Sequence, residues 1–318
     1  MSFSKEVFSA NSRMENGELV IAGCKATLLV KEFETPLFVL DEQDFRTRAT
    51  NWKGALHRHF GENAGEVYYA AKSFICVEVA KMVKETGIGI DVCTGGELAV
   101  ALAADFPTDR IELHGNNKSL SEIEEAIKVG VSRIVVDSIQ EINRVQETAS
   151  RLGKNQKVLI RITPGVEAHT HEAISTAHED VKFGLSIATG VAWKAIELVE
   201  ASSNLSLQGF HCHIGSQIFN TEGYEIAIKR IVELNAKVKD SFNRELSEFD
   251  IGGGFGIAYL PDETTMDPDT ALAKLSKVIK TEFANKKLAL PKISIEPGRA
   301  ISGPTTTTIY EVGTTKHI

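Results

Sequence analysis

The sequence predicts an α/β fold: a (β/α)8 barrel with an incomplete second domain rich in β-strands. Short apolar runs with β propensity alternate along the chain with amphipathic runs of helical length, which is typical of a parallel sheet with helical crossovers. Eight such apolar runs lie between residues 66 and 296, close to the roughly 250 residues of a typical barrel of this class. A doubly wound open sheet is the alternative, and eight units would be long for it.

The eight predicted strands are separated by stretches with helical character. The strands span residues 66–72, 88–91, 110–114, 132–137, 157–161, 205–213, 247–253 and 292–296. Between the third and fourth, residues 119–130 are amphipathic, with Ser119 and Glu122 predicting a capping box and Gly130 the helix end. The stretch 138–153 also ends at a glycine. These helices would provide the crossovers of the barrel.

The two ends of the chain do not follow this alternation. We predict that residues 1–40 contribute to a β-rich domain, that residues 41–300 form the barrel, and that residues 301–318 begin the C-terminal β domain. The runs ATLLV (26–30) and TPLFVL (35–40) have strand-like composition, and residues 304–312 alternate like an antiparallel strand.

Composition narrows the classes of function. Lys and Arg total 35 against 43 Asp and Glu, so the net charge of −8 argues against a nucleic-acid or anionic-membrane partner. The four cysteines form no Cys-x-x-Cys pair and are expected to be reduced thiols. The N-terminal residues show no signal peptide, and no run approaches the roughly 18 apolar residues of a membrane span. We therefore expect a soluble, cytoplasmic protein.

Polar, ionisable or glycine residues stand at the end of every predicted strand. They are Lys72, Asp91, His114, Asp137, Arg161, His213, Gly252 to Gly254, and Glu296. In a parallel barrel the C-terminal strand ends form the mouth where active sites are found. The pattern therefore predicts one active site that all eight strands contribute to.

Lys72 is the candidate for an imine-forming amine. It follows the apolar run VYYAA, where desolvation would lower its pKa as such chemistry requires. The alternative is a lysine that merely extends from a strand end into solvent.

Two glycine-bearing loops predict a phosphate site. Residues 250–256 (DIGGGFG) could turn backbone N–H groups toward an anion, or could form a tight turn that allows close packing. Residues 296–299 (EPGR) close the eighth strand, and loops after strands seven and eight are the recurrent phosphate site of such barrels. Glu296 could pair with a protonated ring nitrogen and Arg299 could clamp a carboxylate, although a structural ion pair is also possible.

The histidines of the HCH run (211–213) allow several interpretations. A zinc site needs further ligands, so His213 is better interpreted as an aromatic plate over a flat cofactor, with Gly215 and Ser216 as phosphate donors. His211 could be a hydrogen-bonded core histidine. Asp91 could balance the lysine or a histidine, or cap a helix near Gly95. The His-rich stretch 168–178 predicts a mobile active-site loop rather than a metal tract.

These motifs resemble those of the fold-type III pyridoxal-phosphate decarboxylases, the family with an alanine-racemase-like barrel. The runs YAAK (69–72), HCHIGS (211–216), GGGFG (252–256) and EPGR (296–299) match its cofactor motifs in order. The runs DVCTGGEL (91–98) and HGNNK (114–118), with the stretch from 164 to 184, favour its diaminopimelate-decarboxylating branch. The similarity extends from about residue 35 to residue 318.

The resemblance implies a cofactor and a role for each site residue. Lys72 would hold pyridoxal 5'-phosphate as a Schiff base, and His213 would stack on its ring. Glu296 would face the ring nitrogen, and Arg299 would bind the substrate carboxylate. The phosphate would be held by Ser216, Gly254, Gly256 and the backbone of Glu296, Pro297, Gly298 and Arg299. Asp91, His114 and Arg161 would support the site, and no metal is implied.

The resemblance also implies a reaction and an assembly. The expected reaction is decarboxylation of meso-2,6-diaminopimelate to L-lysine and CO₂, in a homodimer with shared active sites. A sister decarboxylase of arginine, ornithine or a carboxylated polyamine is one alternative, and a non-catalytic relic that binds pyridoxal phosphate is another. The family continues beyond residue 318 with a cysteine motif that completes the partner's site, so residues 1–318 alone are expected to be a poor decarboxylase.

Overall fold

The structure is a computed structural model that describes residues 4, 6–62, 65–165 and 182–317. The predicted loop at 168–178 lies outside these residues. The chain begins with a small antiparallel sheet of β1 (Arg13–Glu15), β2 (Glu18–Ile21) and β3 (Cys24–Lys25). Helix α1 (Ala26–Phe33) and strand β4 (Leu37–Leu40) follow and lead into the barrel.

Eight parallel strands close into a barrel. They are β5 (Gly65–Ala70), β6 (Gly89–Val92), β7 (Ile111–Leu113), β8 (Arg133–Val136), β9 (Gln156–Thr163), β11 (Leu205–His211), β12 (Glu248–Asp250) and β13 (Lys292–Ile295). Each pairs in parallel with the next, and β13 returns to β5, so the ring is complete. A two-residue strand, β10 (Leu185–Ser186), pairs with the end of β9. The predicted (β/α)8 barrel is confirmed, and an open doubly wound sheet is excluded.

Helices cover the outside of the ring. They are α2 (Glu42–Phe60), α3 (Val77–Thr86), α4 (Gly95–Ala103), α5 (Leu120–Val129), α6 (Ile139–Arg151), α7 (Val191–Glu200), α8 (Glu222–Phe242), α9 (Pro268–Asn285) and α10 (Arg299–Thr305). The predicted capping box of Ser119 and Glu122 opens α5, and Gly130 ends it in a left-handed conformation (φ 79°). The helices bury their apolar faces against the strands, where Ile90, Phe210 and Phe249 are completely buried. This packing fixes the strands and therefore the residues at their ends.

Six of the eight strands end one to three residues earlier than the sequence predicts, whereas β6 ends one residue later and β9 two residues later. β5 ends at Ala70, and Lys72 sits in a short 3-10 turn, Ala71–Ser73, directly after it. β11 ends at His211, which leaves His213 in the following loop. Lys72, His213 and Glu296 therefore lie just after their strands, whereas Asp91 lies within β6 and Arg161 within β9.

A strand that precedes the barrel in the chain pairs with a strand that follows it. Strand β14 (Thr306–Ile309) pairs antiparallel with β4, with Thr306 opposite Leu40 and Ile309 opposite Leu37. The prediction of a strand for ATLLV is wrong, because these five residues form most of α1. A short apolar run is compatible with either period. The proposed domain boundaries themselves stay a prediction.

Candidate active site

The closed barrel brings the ionisable strand-end residues into one cluster. At its centre, Glu296 Oε1 lies 3.1 Å from His114 Nε2 and 3.2 Å from His211 Nε2. His114 Nε2 is in turn 4.0 Å from Asp91 Oδ1 and 3.7 Å from Glu112 Oε2. All five side chains are buried, so the strand-end pattern in the sequence corresponds to a real constellation.

The two histidines of this cluster differ in charge at pH 7. Burial lowers the pKa of His114, but the carboxylates of Asp91 and Glu296 outweigh it and raise the pKa well above its usual value. Burial lowers the pKa of His211 to about 4, so this ring is neutral at pH 7. Burial would raise the pKa of Glu296, but the two histidines hold it well below its usual value. Because His211 is neutral, His114 is the charged partner that keeps Glu296 ionised.

Lys72 lies at the mouth, surrounded by protein on several sides yet exposed to solvent. Burial lowers the pKa of its amine, but the Asp91 and Glu296 carboxylates more than offset this and raise the pKa above its ordinary value. The sequence-based expectation of a lowered pKa is therefore wrong. The reason is that two acids from β6 and β13 face the same space, which the sequence around Lys72 does not show.

His213 presents a neutral ring at the mouth. Its Nδ1 accepts a hydrogen bond from the Gly253 N–H at 3.3 Å, which ties the loop after β11 to the loop after β12. Burial, with a contribution from the charge of Lys72, lowers the pKa of His213 to about 3. A half-buried, uncharged and backbone-anchored imidazole is well suited to stacking on a flat ring.

The three loops after β11, β12 and β13 touch one another through glycine. A Cβ atom on Gly253 would lie 2.1 Å from the carbonyl oxygen of Glu296, and one on Gly254 would lie 2.2 Å from that of Gly215. Gly254 also has φ +101°, which side-chain-bearing residues rarely adopt. These contacts leave no room for side chains and bring bare backbone to the floor of the mouth. These contacts fit the alternative of a turn that allows close packing. We call the three touching loops the glycine cradle, and its role in holding phosphate stays a prediction.

The individual phosphate candidates are placed differently in this cradle. Ser216 is exposed, Gly298 is half-buried and Pro297 is buried. The Gly256 N–H donates to the carbonyl oxygen of Ile218 at 2.9 Å, so its amide is already engaged. The role predicted for Gly256 stays a prediction, and the structure favours Gly254 over it.

Arg299 is exposed at the rim and has an aromatic neighbour that the sequence did not reveal. Its Nη1 donates to the Tyr259 hydroxyl at 2.9 Å, across the gap between the loops after β13 and β12. Tyr259 is itself exposed. A guanidinium oriented by one hydrogen bond keeps its remaining donors available for a ligand. An aromatic residue a few positions after the glycine loop is the only sequence signal that could have indicated this partner.

Asp91 and Arg161 have partners that clarify their roles. Asp91 does not cap a helix, since the N-cap of α4 is Thr94, whose side chain accepts the Glu97 N–H. Asp91 instead lies fully buried, with Oδ1 3.7 Å from Cys93 Sγ and near His114.

Arg161 Nε lies 3.8 Å from Asp137 Oδ2, and its guanidinium is 4.5 Å from the centre of the Phe183 ring. Asp137 also accepts the Gly184 N–H at 2.8 Å. The segment at 183–184 is thus anchored to the barrel by Asp137, and Phe183 is a site neighbour that the sequence interpretation missed.

Several buried polar atoms at this end of the barrel have no hydrogen bond within the described residues. They include Asp91 Oδ2, Glu112 Oε2, His114 Nε2, Asp250 Oδ2, Glu296 Oε1 and both ring nitrogens of His211. The interpretation of His211 as a hydrogen-bonded core histidine is therefore wrong, because its short contact to Glu296 lacks hydrogen-bond geometry. Glu112 and Asp250 were missed because each is a single acid within a three-residue strand, IEL and EFD.

Two groups of these atoms are close enough to hold a cation. The ligand atoms of His114, His211 and Glu296 lie within 4.8 Å of one another, as do those of Glu112, Asp250 and Glu296. Both groups share Glu296, and the cationic His114 already balances its charge. The expectation that no metal is bound stays a prediction. No helix in the described part of the chain is long and apolar enough to cross a membrane.

Comparison with known proteins agrees with this geometry. Residues 42–303 match the family described as "Pyridoxal-dependent decarboxylase, pyridoxal binding domain". The chain is 51% identical to a diaminopimelate decarboxylase of Mycobacterium leprae over 96% of its own length and 65% of that protein. It is 39% identical to the Bacillus subtilis enzyme of the same name, over 96% of this chain and 69% of that one.

A solved structure has the same fold. The diaminopimelate decarboxylase of M. jannaschii in co-complex with L-lysine superimposes with a TM-score of 0.86 at 29% identity. The match covers 96% of this chain and 70% of that one. The chain spans about two thirds of the length of the curated relatives it matches.

Proposed function

Because the chain belongs to the diaminopimelate decarboxylase family of pyridoxal-dependent decarboxylases, we propose that it forms the cofactor-binding barrel of an enzyme that converts meso-2,6-diaminopimelate to L-lysine and CO₂. The observation that carries this proposal is the joint placement of a lysine amine, an ionised buried glutamate and a neutral histidine ring around one mouth.

The residues at the mouth fit pyridoxal phosphate in chemistry and in shape. Lys72 supplies the amine, and Glu296, kept ionised, offers a counter-charge for a protonated ring nitrogen. His213 offers a neutral aromatic face, and Gly253 and Gly254 leave room for the backbone contacts of the glycine cradle, since a Cβ on either would clash with a carbonyl oxygen. Bound there, the cofactor would act as the electron sink for the carbanion left when CO₂ departs.

The raised pKa of Lys72 has a consequence for proton handling. Its Nζ holds a proton at pH 7 and must release it before the amine can form a covalent bond. Burial raises the pKa of the neighbouring Asp91 carboxyl, which makes this group a better proton acceptor than an ordinary aspartate. We assign Asp91 the role of taking up that proton, with Glu296 balancing the remaining charge.

Substrate and phosphate would be held by different groups of the mouth. Arg299, oriented by Tyr259, offers a planar pair of donors for a carboxylate. Ser216, Gly254 and the backbone from Glu296 to Arg299 would surround the phosphate, with Gly256 contributing to the loop's packing against Ile218. Arg161 and His114 would support the site from behind, through Asp137 and Glu296 respectively.

The proposal also covers assembly and location. We propose a homodimer with shared active sites, in the cytoplasm. Apolar side chains near the β4–β14 sheet support association, since Phe38, Tyr310 and Val312 are largely exposed in the described part of the chain. Sedimentation of the full-length protein would test the dimer directly.

The central experiment tests cofactor and substrate together. The full-length protein containing this chain is incubated with pyridoxal phosphate, reduced with borohydride and mapped by peptide mass. We expect the pyridoxyl group on Lys72, its absence in Lys72→Ala, and its retention in the surface control Lys81→Ala. Release of CO₂ is then compared for meso-diaminopimelate, ornithine and arginine. A label on another lysine, or faster turnover of ornithine or arginine, would contradict the proposal.

A further inference from the structure

We propose that His114 and His211 are positioning residues that act on the cofactor through Glu296, with His114 supplying a positive charge and His211 only a neutral contact. The inference rests on the proposed function, because it assigns these histidines to the same bound cofactor. Neither histidine is expected to touch substrate or cofactor.

The geometry isolates Glu296 between the two rings. Its Oε1 is the atom that both Nε2 atoms approach, at 3.1 and 3.2 Å. The rings themselves meet edge to face, 4.9 Å apart and inclined by 77°. They come from different sides of the barrel, His114 after β7 and His211 at the end of β11. Approach by both rings to Oε1 leaves Oε2 as the carboxylate oxygen available to a ring nitrogen.

The surroundings of Glu296 explain why such a device is needed. Besides the two histidines, the titratable groups that interact with it include Lys72, Asp91, Cys93, Glu112, Cys212, His213 and Asp250. Three of these are buried carboxyl groups, and each favours protonation of the others. Without an opposing positive charge, Glu296 would share in that protonation, and a neutral carboxyl group offers no counter-charge to a protonated ring nitrogen.

The two histidines cannot contribute equally. His114 has three carboxylates within 4.0 Å and is held as an imidazolium, whereas Glu296 is the one carboxylate of the described residues within 4.0 Å of His211, which stays neutral. A neutral donor such as glutamine should therefore replace His211 with little effect. The same replacement at His114 removes the charge, and the proton on the cofactor's ring nitrogen should be lost with it.

The test uses full-length holoenzyme carrying pyridoxal phosphate labelled with ¹⁵N at the ring nitrogen. Its ¹⁵N chemical shift distinguishes a protonated from a neutral ring without reference to turnover. We expect the protonated shift at pH 7 in the wild type, in His211→Gln and in the control His57→Gln, a half-buried residue of α2 outside this cluster. In His114→Gln we expect movement toward the neutral value and a fall in kcat of about tenfold or more, with KM little changed.

Other outcomes are decisive as well. An unchanged shift in His114→Gln, or equal shifts in His114→Gln and His211→Gln, would overturn the inference while leaving cofactor binding intact. Failure of the wild type to form a pyridoxyl adduct at Lys72 would instead overturn the proposed function. If His114→Gln does not fold, ¹⁵N-histidine spectra of the wild type decide: an imidazolium at His114 above pH 7 supports the inference, and a neutral ring there refutes it.

Discussion

Two lysines near the C-terminal ends of barrel strands differ in burial and in hydrogen bonding. Lys118 is buried, and its Nζ donates to Gly115 O at 2.6 Å, to Val135 O at 2.7 Å and to Glu141 Oε1 at 2.5 Å. Lys72 is exposed, and no hydrogen bond of its amine is found in the described part of the chain. Its charge is balanced only through space.

This difference separates polar groups that stabilise the fold from polar groups that remain available to a ligand. A buried charge whose donors are all used contributes to one folded arrangement and has nothing left for a ligand. A charged group in an accessible mouth whose donors are not used by the protein keeps them available for a ligand. The same contrast distinguishes the Arg133–Glu248 ion pair, which is hydrogen bonded, from Glu296, whose buried oxygen is not.

Replacing the two lysines should dissociate activity from stability. Lys72→Ala removes the amine that would bind the cofactor, so turnover should fall on the order of 10³-fold or more. The free energy of unfolding should change by less than about 1 kcal/mol, because an exposed charge is well solvated. Decarboxylation assays and urea unfolding on the same samples would measure both. Substantial turnover by Lys72→Ala would contradict the assignment of Lys72 as the residue that binds the cofactor.

Lys118→Ala should show the reverse behaviour. It leaves the Glu141 carboxylate buried without its partner, and breaking a buried pair in this way costs about 3–5 kcal/mol. The measurement is urea unfolding of the apo-protein. Pyridoxal phosphate should still reach Lys72 in whatever fraction folds. A loss of cofactor labelling without a loss of stability would show that Lys118 acts in cofactor binding and not in stabilising the fold.

The glycine cradle can be separated from an ordinary glycine turn in the same manner. Gly254→Ala forces a side chain into φ +101° and against the Gly215 carbonyl, so a cost of about 1–3 kcal/mol and weaker cofactor binding are expected. Gly130→Ala is the matched control, since Gly130 also has a positive φ but nothing within 4 Å of an added Cβ. Fluorescence titration with pyridoxal phosphate should show weaker binding only in the first variant.

Arg299→Lys should produce a more limited effect. A lysine keeps the positive charge but loses the planar pair of donors, so kcat/KM should fall by about 10- to 100-fold while the cofactor's absorption spectrum is retained. Arg58→Lys is a suitable control, because Arg58 is exposed and pairs with Asp269 on α9, outside the mouth. Equal kcat/KM values for the two variants would remove Arg299 from substrate binding.

The smallest expected effect concerns acid stability. Burial lowers the pKa of His213 to about 3, whereas an unfolded imidazole has a pKa of about 6.5. Below pH 6.5 the unfolded chain binds a proton that the folded chain does not, so stability is complete above this pH and falls as the pH decreases toward 3. His213→Phe should reduce this loss in the apo-protein. Urea unfolding at pH 7 and pH 5 would measure it, and an unchanged difference between the two values would argue against a neutral His213.

The sequence predicted the barrel and the rim of its mouth more fully than the interior beneath them. Alternating apolar and amphipathic runs are local signals. The polar residues at the ends of the apolar runs, such as Lys72, Asp91 and Glu296, are also visible in the sequence. The run ATLLV was assigned wrongly because five apolar residues do not define a period.

What escaped prediction depends on closure of the ring. Glu112 and Asp250 look like ordinary polar positions in short strands, and only the assembled barrel shows that they meet Glu296. The direction of the Lys72 pKa was wrong for the same reason, since the acids that raise it come from strands far away in sequence. Tyr259 and Phe183 are likewise neighbours of site residues only after folding.

The pairing of β4 with β14 sets how the protein responds to mechanical force. Leu37 and Ile309 face each other at one end of this ladder, and the chain leaves both strands there toward its two ends. Tension between those ends would load the hydrogen bonds one after another, as in a zipper, rather than all together in shear. Within this ladder, rupture should therefore begin at Leu37 and Ile309 and reach Leu40 and Thr306 last. Ahead of the ladder, the same tension would load the hydrogen bonds that tie the Ala10 N–H to Asp44 and the Asn11 side chain to Asp41.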